Sequence, residues 1–484
     1  MKTLLACIAV IVVPLAPSAI AQEPEAPTVA DFVGNWLGTL DVGAAQLRLR
    51  FVFAEGDDGL TAEVFSLDQG NAQVPVASTT LNGATVTLSM PMAGATYEGS
   101  LSVEDGKITG TFTQAGADFP LVLERVSEED VTPRRPQNPV EPYPYLAEDI
   151  TYPNPDGGHT MAGTFTRPTE GGPFPAVILI SGSGPQDRDE ALMDHRPFLV
   201  LADHLTRRGI AVLRYDDRGV GQSTGTFATA TTPDFASDAL AAVAYLKTRD
   251  DVNPAAIGLA GHSEGGVVAP IAATRSDDVS YIVLMAGTGV NGERILYAQA
   301  ALILRTGGAT EEAIASNRAR QARIFEALKS EPDRERASQS IEAIIRASLE
   351  TATDEELALV GITDSASAET AIAAQVQQVN TPWFRYFLTY DPALMLEQVT
   401  VPVLAINGEK DLQVPHEENL REIEAALVRG GNTRYEIRAF PDLNHLFQHA
   451  ETGAPSEYQA IEETWSVEVM EVIADWILKT VGGG

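Results

Sequence analysis

Ser263 stands in the pentapeptide Gly261-His262-Ser263-Glu264-Gly265, a G-x-S-x-G pattern. A serine hydroxyl is a weak nucleophile near neutral pH. It needs a base within hydrogen-bond reach, and the base needs an orienting acid. Seven histidines are available: His159, His195, His204, His262, His416, His445 and His449. His445 is the best-placed base, because Phe440-Pro441-Asp442-Leu443-Asn444-His445 follows the last strand-like run directly. His449, four residues on, is second. His262 adjoins the serine, but a sharp turn would point neighbouring side chains apart. The acid is expected after the penultimate strand, in Asn407-Gly408-Glu409-Lys410-Asp411. Asp411 is preferred to Glu409, and Asp442 is read as shaping the histidine loop. Acyl transfer also needs N–H donors for the oxyanion. One is the backbone N–H of Glu264. The other is expected in the loop Ser181-Gly182-Ser183-Gly184, from Ser183 ahead of Gly182. The Glu264 carboxylate is expected to be solvated or salt-bridged rather than catalytic.

These residues need a scaffold that brings them together. Ala256-Ile257-Gly258-Leu259-Ala260 reads as a buried strand and Gly266-Val267-Val268-Ala269-Pro270-Ile271-Ala272-Ala273 as a buried helix. Strand, sharp turn and helix form the context in which the pentapeptide becomes a nucleophile elbow. Asp149–Tyr152 and Thr160–Phe165 suggest an opening hairpin. Near-continuous apolar runs follow at Ala176–Ile180, Ile210–Leu213, Tyr281–Met285 and Val403–Ile406, with Arg434–Ile437 less apolar. Apolar strands alternating with helices mean a mostly parallel, doubly wound sheet. The order Ser263, Asp411, His445 fits such a sheet. Residues 290–382 break the alternation and read as a helical insertion, placed to cap the carboxyl ends of the strands where ligands bind. Trp383-Phe384-Arg385-Tyr386-Phe387 follows, and Trp383 and Phe384 are candidate lining for an acyl or aryl pocket; ordinary core is the alternative.

Residues 29–127 look different. Gln46–Phe53, Ala84–Met90 and Lys107–Thr113 alternate apolar and polar residues between Gly- and Asp-rich turns. They predict a small antiparallel β-barrel or sandwich with no catalytic cluster of its own. Pro133, Pro136, Pro139, Pro142 and Pro144 make 128–147 a stiff linker. The expected plan is therefore 1–21 signal peptide, 29–127 β domain, 128–147 linker, 148–289 and 383–481 the two parts of the α/β core, and 290–382 the cap.

Lys2, the apolar Leu4–Leu15 and Ala19-Ile20-Ala21 read as a signal peptide cleaved near Ala21, which predicts export to the periplasm or the medium. Cys7, in that segment, is the only cysteine, so the mature chain would hold no disulfide, thiol nucleophile or cysteine metal site. Too little chain precedes Leu4-Leu5-Ala6-Cys7 for a lipid-attachment signal. No other stretch is long and apolar enough to insert in a membrane. A formal net charge of −34 argues against nucleic acid and anionic lipid as partners. Gly219-x-Gly221 lacks the third glycine of a nucleotide loop, and Asp194-His195 and Asp203-His204 lack metal-site spacing and suit a helix surface.

Ser181 to Asp189, Arg214-Tyr215-Asp216-Asp217-Arg218-Gly219-Val220-Gly221-Gln222-Ser223, the Gly-His-Ser-Glu-Gly elbow and Asn407-Gly408…Asp411 together resemble the α/β-hydrolase superfamily. The branch is that of bacterial esterases related to serine aminopeptidase-type hydrolases. The resemblance runs from about Glu148 to the C-terminus and is weak in the cap. It implies the α/β-hydrolase fold and hydrolysis of small carboxylic esters by Ser263, Asp411 and His445, with no cofactor and no metal. Ser181-Gly182 replaces the more usual His-Gly oxyanion motif, which leaves the second donor open. Two other functions compete: an exopeptidase of prolyl oligopeptidase or aminopeptidase type, and a non-catalytic binding protein on a hydrolase fold. Residues 29–127 are too short for the propeller that often accompanies the former. Acyl and alcohol preference and oligomeric state are not encoded in these motifs.

Overall fold

The structure is a computed structural model and describes residues 27–41, 46–56, 59–67, 72–114, 116–127, 134–350, 362 and 365–482. The expected signal peptide, with Cys7, lies outside the described residues. The chain divides near residue 127 into two compact units.

The first unit is one nine-stranded sheet in the order β4-β3-β2-β1-β9-β8-β7-β6-β5. Its strands are β1 (Gly34–Asp41), β2 (Gln46–Gly56), β3 (Gly59–Ser66), β4 (Ala72–Val74), β5 (Ser78–Asn82), β6 (Thr85–Met90), β7 (Ala95–Ser102), β8 (Lys107–Gln114) and β9 (Ala117–Val126). From β5 to β9 and on through β1 to β2 every pairing is antiparallel. Alternation is the cause: along β7, Ala95, Tyr97, Gly99 and Leu101 are buried in turn with exposed residues between. Trp36, Phe51, Phe53, Val86, Leu88, Tyr97 and Ile108 meet in a single core. The barrel-like form is thus the one found, as a half-barrel whose sheet order ends at β4 and β5.

The second unit is an eight-stranded sheet in the order β10-β11-β13-β12-β14-β15-β16-β17. β10 (Leu146–Asn154) and β11 (His159–Arg167) form the expected antiparallel hairpin, and β11 joins β13 (Ala211–Tyr215) antiparallel. β12 (Phe174–Ile180), β14 (Val252–His262), β15 (Tyr281–Met285), β16 (Val403–Gly408) and β17 (Tyr435–Phe440) complete the sheet, and β13-β12-β14-β15-β16-β17 all pair parallel. The apolar runs have partners on both faces. Helices Thr232–Leu246, Gly265–Arg275 and His416–Arg429 pack on one, and Pro197–Arg207 and Val467–Gly482 on the other. This is the α/β-hydrolase arrangement. The chain runs from β12 to β13 on one side and then crosses back past β12 to β14 on the other, so a crevice opens at the carboxyl end of β12. No helix among the described residues is long and apolar enough to cross a membrane.

The insertion after β15 is helical, as its spacing predicts: Gly292–Thr306, Glu311–Ser330, Arg334–Leu349 and Ser365–Val379. Asn291, Thr310 and Asp333 each accept the N–H three residues on, so the first three start on a side-chain cap. The insertion reaches beyond 382. Pro382–Thr389 is a further helix, and its Phe384 and Leu388 belong to the same core as Tyr297, Phe325 and Ile341.

The proline-rich stretch is strapped to the α/β unit along its described part. Arg135 donates to the carbonyls of Met193, Gln459 and Ile461, and Gln137 donates to the Trp465 carbonyl while accepting the N–H groups of Thr464 and Trp465. Proline removes backbone donors and keeps the chain extended, so side chains make the attachment.

Candidate active site

β14 ends at His262 and the next helix starts at Gly265, leaving two residues to reverse the chain. Ser263 takes φ +52°, a strained value for a residue with a side chain. Its N–H donates to the Met285 carbonyl at 2.8 Å, which ties the turn to β15. The flanking glycines have no room for side chains. A Cβ on Gly265 would stand 2.1 Å from the Ile180 carbonyl oxygen, and one on Gly266 would stand 2.7 Å from the Gly287 Cα. The strand–turn–helix expected around the pentapeptide is therefore present, and its strain is held by close backbone packing.

His445 and Asp411, chosen on chain order, meet. His445 Nδ1 and Asp411 Oδ2 are 2.7 Å apart, with both residues buried. Asp411 Oδ1 accepts the N–H groups of Gln413 and Val414, each at 2.8 Å. The carboxylate is thus fixed on both oxygens, and the imidazole is oriented with Nε2 left for a reacting proton. The His445 ring stands 4.8 Å, centroid to centroid, from that of His262, next to Ser263. The competing candidates lie elsewhere. His449 bonds Glu463 with its side chain largely exposed, and Asp442 pairs with Lys410 at the surface.

The loop after β12 reaches the same place. A Cβ on Gly182 would come within 3.3 Å of the Ser263 Cβ. The Gly182 N–H is already taken, donating to Glu190 Oε1 at 2.6 Å, so it is not an oxyanion donor. Ser183, Ser263 and Glu264 line one cavity of about 90 Å³. Among the described residues no acceptor pairs with the N–H of Ser183 or of Glu264, which leaves both free to bind an oxyanion.

The rest of that cavity comes from the insertion and the Asp411 loop: Ile295, Leu296, Gln299, Trp383, Phe387, Gln413 and Val414, with Thr288. Trp383 lines it as expected, but Phe384 does not. Residues 383 and 387 share one helix face, four apart, while 384 is turned into the insertion's own core. Phe384 stands 6.0 Å from Phe325, and Trp383 stacks parallel on Phe387 at 5.2 Å. A larger groove of about 560 Å³ lies along Arg334–Leu349 and Ser365–Val379; its lining holds Ser338, whose hydroxyl accepts from the Asn380 amide, but no histidine to serve as a base. The smaller cavity is the one that Ser263 lines.

The Glu264 side chain departs from the sequence reading. Glu264 is neither solvated nor salt-bridged: it is 5% exposed and accepts the Thr232 hydroxyl at 2.7 Å and the Trp383 indole N–H at 2.6 Å. Burial pushes its carboxyl up to about 7, although those two bonds pull the other way. His262 is buried and bonded through both ring nitrogens. Its Nε2 meets the His445 carbonyl oxygen at 3.0 Å and its Nδ1 meets Glu190 Oε1 at 2.9 Å. Burial disfavours the imidazolium, but the Glu190 charge and hydrogen bond outweigh it and raise His262 above its ordinary value.

Glu190 is the residue that sequence reading missed. It sits at φ +51°, is 4% exposed, and holds both the Gly182 N–H and His262 through Oε1. It therefore ties the loop after β12, through His262, to the backbone of His445. The acidic run Asp187-Arg188-Asp189-Glu190 was the available signal, but nothing local marks which acid turns inward. His195, read as a helix-surface group, is instead buried against the Tyr458 carbonyl and the Thr464 hydroxyl. Among the described residues no cluster of three His, Cys, Asp or Glu could hold a metal ion.

The sequence model of the X-Pro dipeptidyl-peptidase (S15) family matches residues 156–427, more than half of the chain. Esterase EstD of Thermotoga maritima is 28% identical over 347 residues, which span 70% of this chain and 69% of that protein. Among solved structures, the α/β hydrolase GrgF from Penicillium sp. sh18 is similar at 17% identity and a TM-score of 0.43, over 70% of this chain and 99% of that one. The Pyrococcus furiosus esterase Pf2001 is similar at 14% identity and a TM-score of 0.41, over 69% and 91%.

Proposed function

The chain belongs to the X-Pro dipeptidyl-peptidase (S15) family, and from that premise we propose that it is a serine hydrolase of small carboxylic esters, exported by the signal at residues 1–21. The observation that carries this reading is the buried Asp411–His445 pair beside a strained serine turn that lines a cavity. Ser263 Oγ attacks the ester carbonyl as His445 Nε2 takes its proton. The N–H groups of Glu264 and Ser183 bind the oxyanion, and His445 returns the proton to the leaving alcohol. Water then hydrolyses the acyl-enzyme by the same steps, with Asp411 keeping the imidazole in the required tautomer and stabilising its charge. The relative named as an esterase supports an ester substrate. The family description supports a second reading, an exopeptidase. Parallel assays with 4-nitrophenyl esters and aminoacyl-prolyl anilides decide between them: turnover of anilides alone would reject the ester reading.

Cavity size bears on the acyl group. About 90 Å³ is smaller than the roughly 150 Å³ of an apolar cavity that holds one benzene ring. A short acyl chain is the expected preference. Leu296→Ala, which removes cavity wall, should move the best 4-nitrophenyl ester from acetate or propionate toward hexanoate, raising kcat/KM on the longer chain about tenfold. An unchanged chain-length profile would contradict this use of the cavity.

Glu190 is proposed as a positioning residue. Glu190→Ala leaves the Gly182 N–H and His262 without their acceptor, so the oxyanion loop loses its tie to the His445 segment. A displacement of about 1 Å costs up to about a hundredfold in rate. The expected result is a ten- to hundredfold lower kcat with KM nearly unchanged. Glu190→Gln, which keeps an acceptor, should recover part of it. Equal losses in both variants, or a loss confined to KM, would remove this role.

A further inference from the structure

The proposed mechanism uses the backbone of Glu264 and leaves its side chain without a task. That side chain is a buried carboxyl on the wall of the cavity that holds Ser263. Oε1 accepts both the Thr232 hydroxyl and the Trp383 indole N–H. Oε2 has no partner among the described residues, yet it is not sealed in the protein as Glu190 Oε2 is. Glu264 also borders a void of about 10 Å³ beside Asp217, which has room for one water at most. Of these two spaces lined by Glu264, the Ser263 cavity is the one with room for part of a substrate.

Placing a carboxyl there is costly unless something donates to its second oxygen. A buried acceptor left unpaired costs on the order of 1–3 kcal/mol, and more when charged. A negative charge beside the nucleophile also opposes the developing oxyanion. An apolar residue would satisfy Thr232 and Trp383 less well but would avoid both penalties. The arrangement is intelligible if the missing donor arrives with the substrate. Gln299, Gln413 and Thr288 add further polar groups to an otherwise apolar wall of Ile295, Leu296 and Phe387.

We propose that the Glu264 carboxylate is a specificity-determining group that selects esters carrying a hydrogen-bond donor, a hydroxyl or a protonated amine, within a few bonds of the scissile carbonyl. This rests on Ser263 being the nucleophile. A site built to bond a substrate donor discriminates against the analogue that lacks it, because its own polar group is then left unpaired.

Glu264→Gln tests the idea with little change of shape. Thr232 and Trp383 both donate, so they hold the amide oxygen at the Oε1 position. The amide nitrogen then occupies the Oε2 position and turns an acceptor into a donor. The substrates are matched pairs of esters, each pair differing by one hydroxyl or ammonium group in the acyl or the alcohol half. The readout is the ratio of kcat/KM within a pair. That ratio should fall by about tenfold or more in the variant for at least one pair. A fall for both hydroxyl and ammonium pairs identifies a donor of either charge, and a fall for ammonium alone identifies a cation.

If the variant does not fold, the pH profile of the unaltered enzyme decides. Burial pushes Glu264 up to about 7, so the carboxylate acceptor forms as pH rises through that value. The ionisable group whose charge reaches it is Asp217, on the loop after β13, itself pushed up to about 8 by burial; Thr232 and Trp383 are neutral. The ratio for a hydroxyl pair should rise between about pH 5.5 and about pH 8.5, while any ionisation that acts equally on both members of a pair cancels. Ratios unmoved by Glu264→Gln, or flat with pH where the variant does not fold, overturn the proposal. Hydrolysis of no ester at all would overturn the ester reading instead.

Discussion

Ser263→Ala is expected to lower kcat on 4-nitrophenyl acetate by about 10⁴-fold or more and to abolish labelling by a fluorophosphonate. The stability of the protein should hardly change. Ser263 adopts φ +52°, and alanine meets the same backbone strain as serine. Its N–H bond to the Met285 carbonyl does not involve the side chain, so the turn survives the substitution. The residual rate should come from binding and from the N–H groups of Glu264 and Ser183, which the variant retains. A variant with kcat within tenfold of the parent would mean that some other group attacks the substrate. Loss of activity with a collapsed melting temperature would instead say that the hydroxyl matters to the fold.

The candidate site was legible in the sequence wherever it follows the order of strands. Asp411 and His445 are far from Ser263 along the chain, but each follows a strand of one parallel sheet. All such strands end on the same edge, so chain position predicts spatial position. Gly261 and Gly265 were legible for a related reason, since a two-residue reversal between strand and helix admits no bulk. What depends on how loops and helices pack was not legible. Trp383, Phe384 and Phe387 look alike as a string of aromatics. Only the helix Pro382–Thr389 sorts them, placing 383 and 387 on the cavity and 384 in the insertion's core. Glu264 was expected in solvent or in an ion pair because carboxylates seldom bury; two neutral donors, Thr232 and Trp383, from distant elements made burial tolerable. Glu190 and His262 depend on the path of a loop from 181 to 190 that carries no repeating pattern.

Gly261→Ala is the substitution with the largest expected effect on stability. A Cβ there would lie 1.9 Å from the Gly265 carbonyl oxygen and 2.7 Å from the Gly266 nitrogen. Both are backbone atoms, so no side chain can rotate away. The helix that begins at Gly265 would have to move off β14, and Gly265 is itself pressed against the Ile180 carbonyl of β12. Relief at one contact therefore tightens or breaks the next. Ordinary overpacking costs about 1–3 kcal/mol, and a backbone clash of this kind should exceed about 3 kcal/mol. The expected outcome is a lowered urea midpoint or a chain that does not accumulate as soluble protein. Gly307→Ala is the control, because a Cβ at that position meets nothing closer than 3.4 Å and its φ is negative. It should leave the midpoint unchanged or raise it slightly, as alanine restricts the unfolded chain. A Gly261→Ala protein that melts with the parent would show that the helix can slide away from β14. The strain at Ser263 would then need another support than the backbone contacts between β12, β14 and the helix that follows.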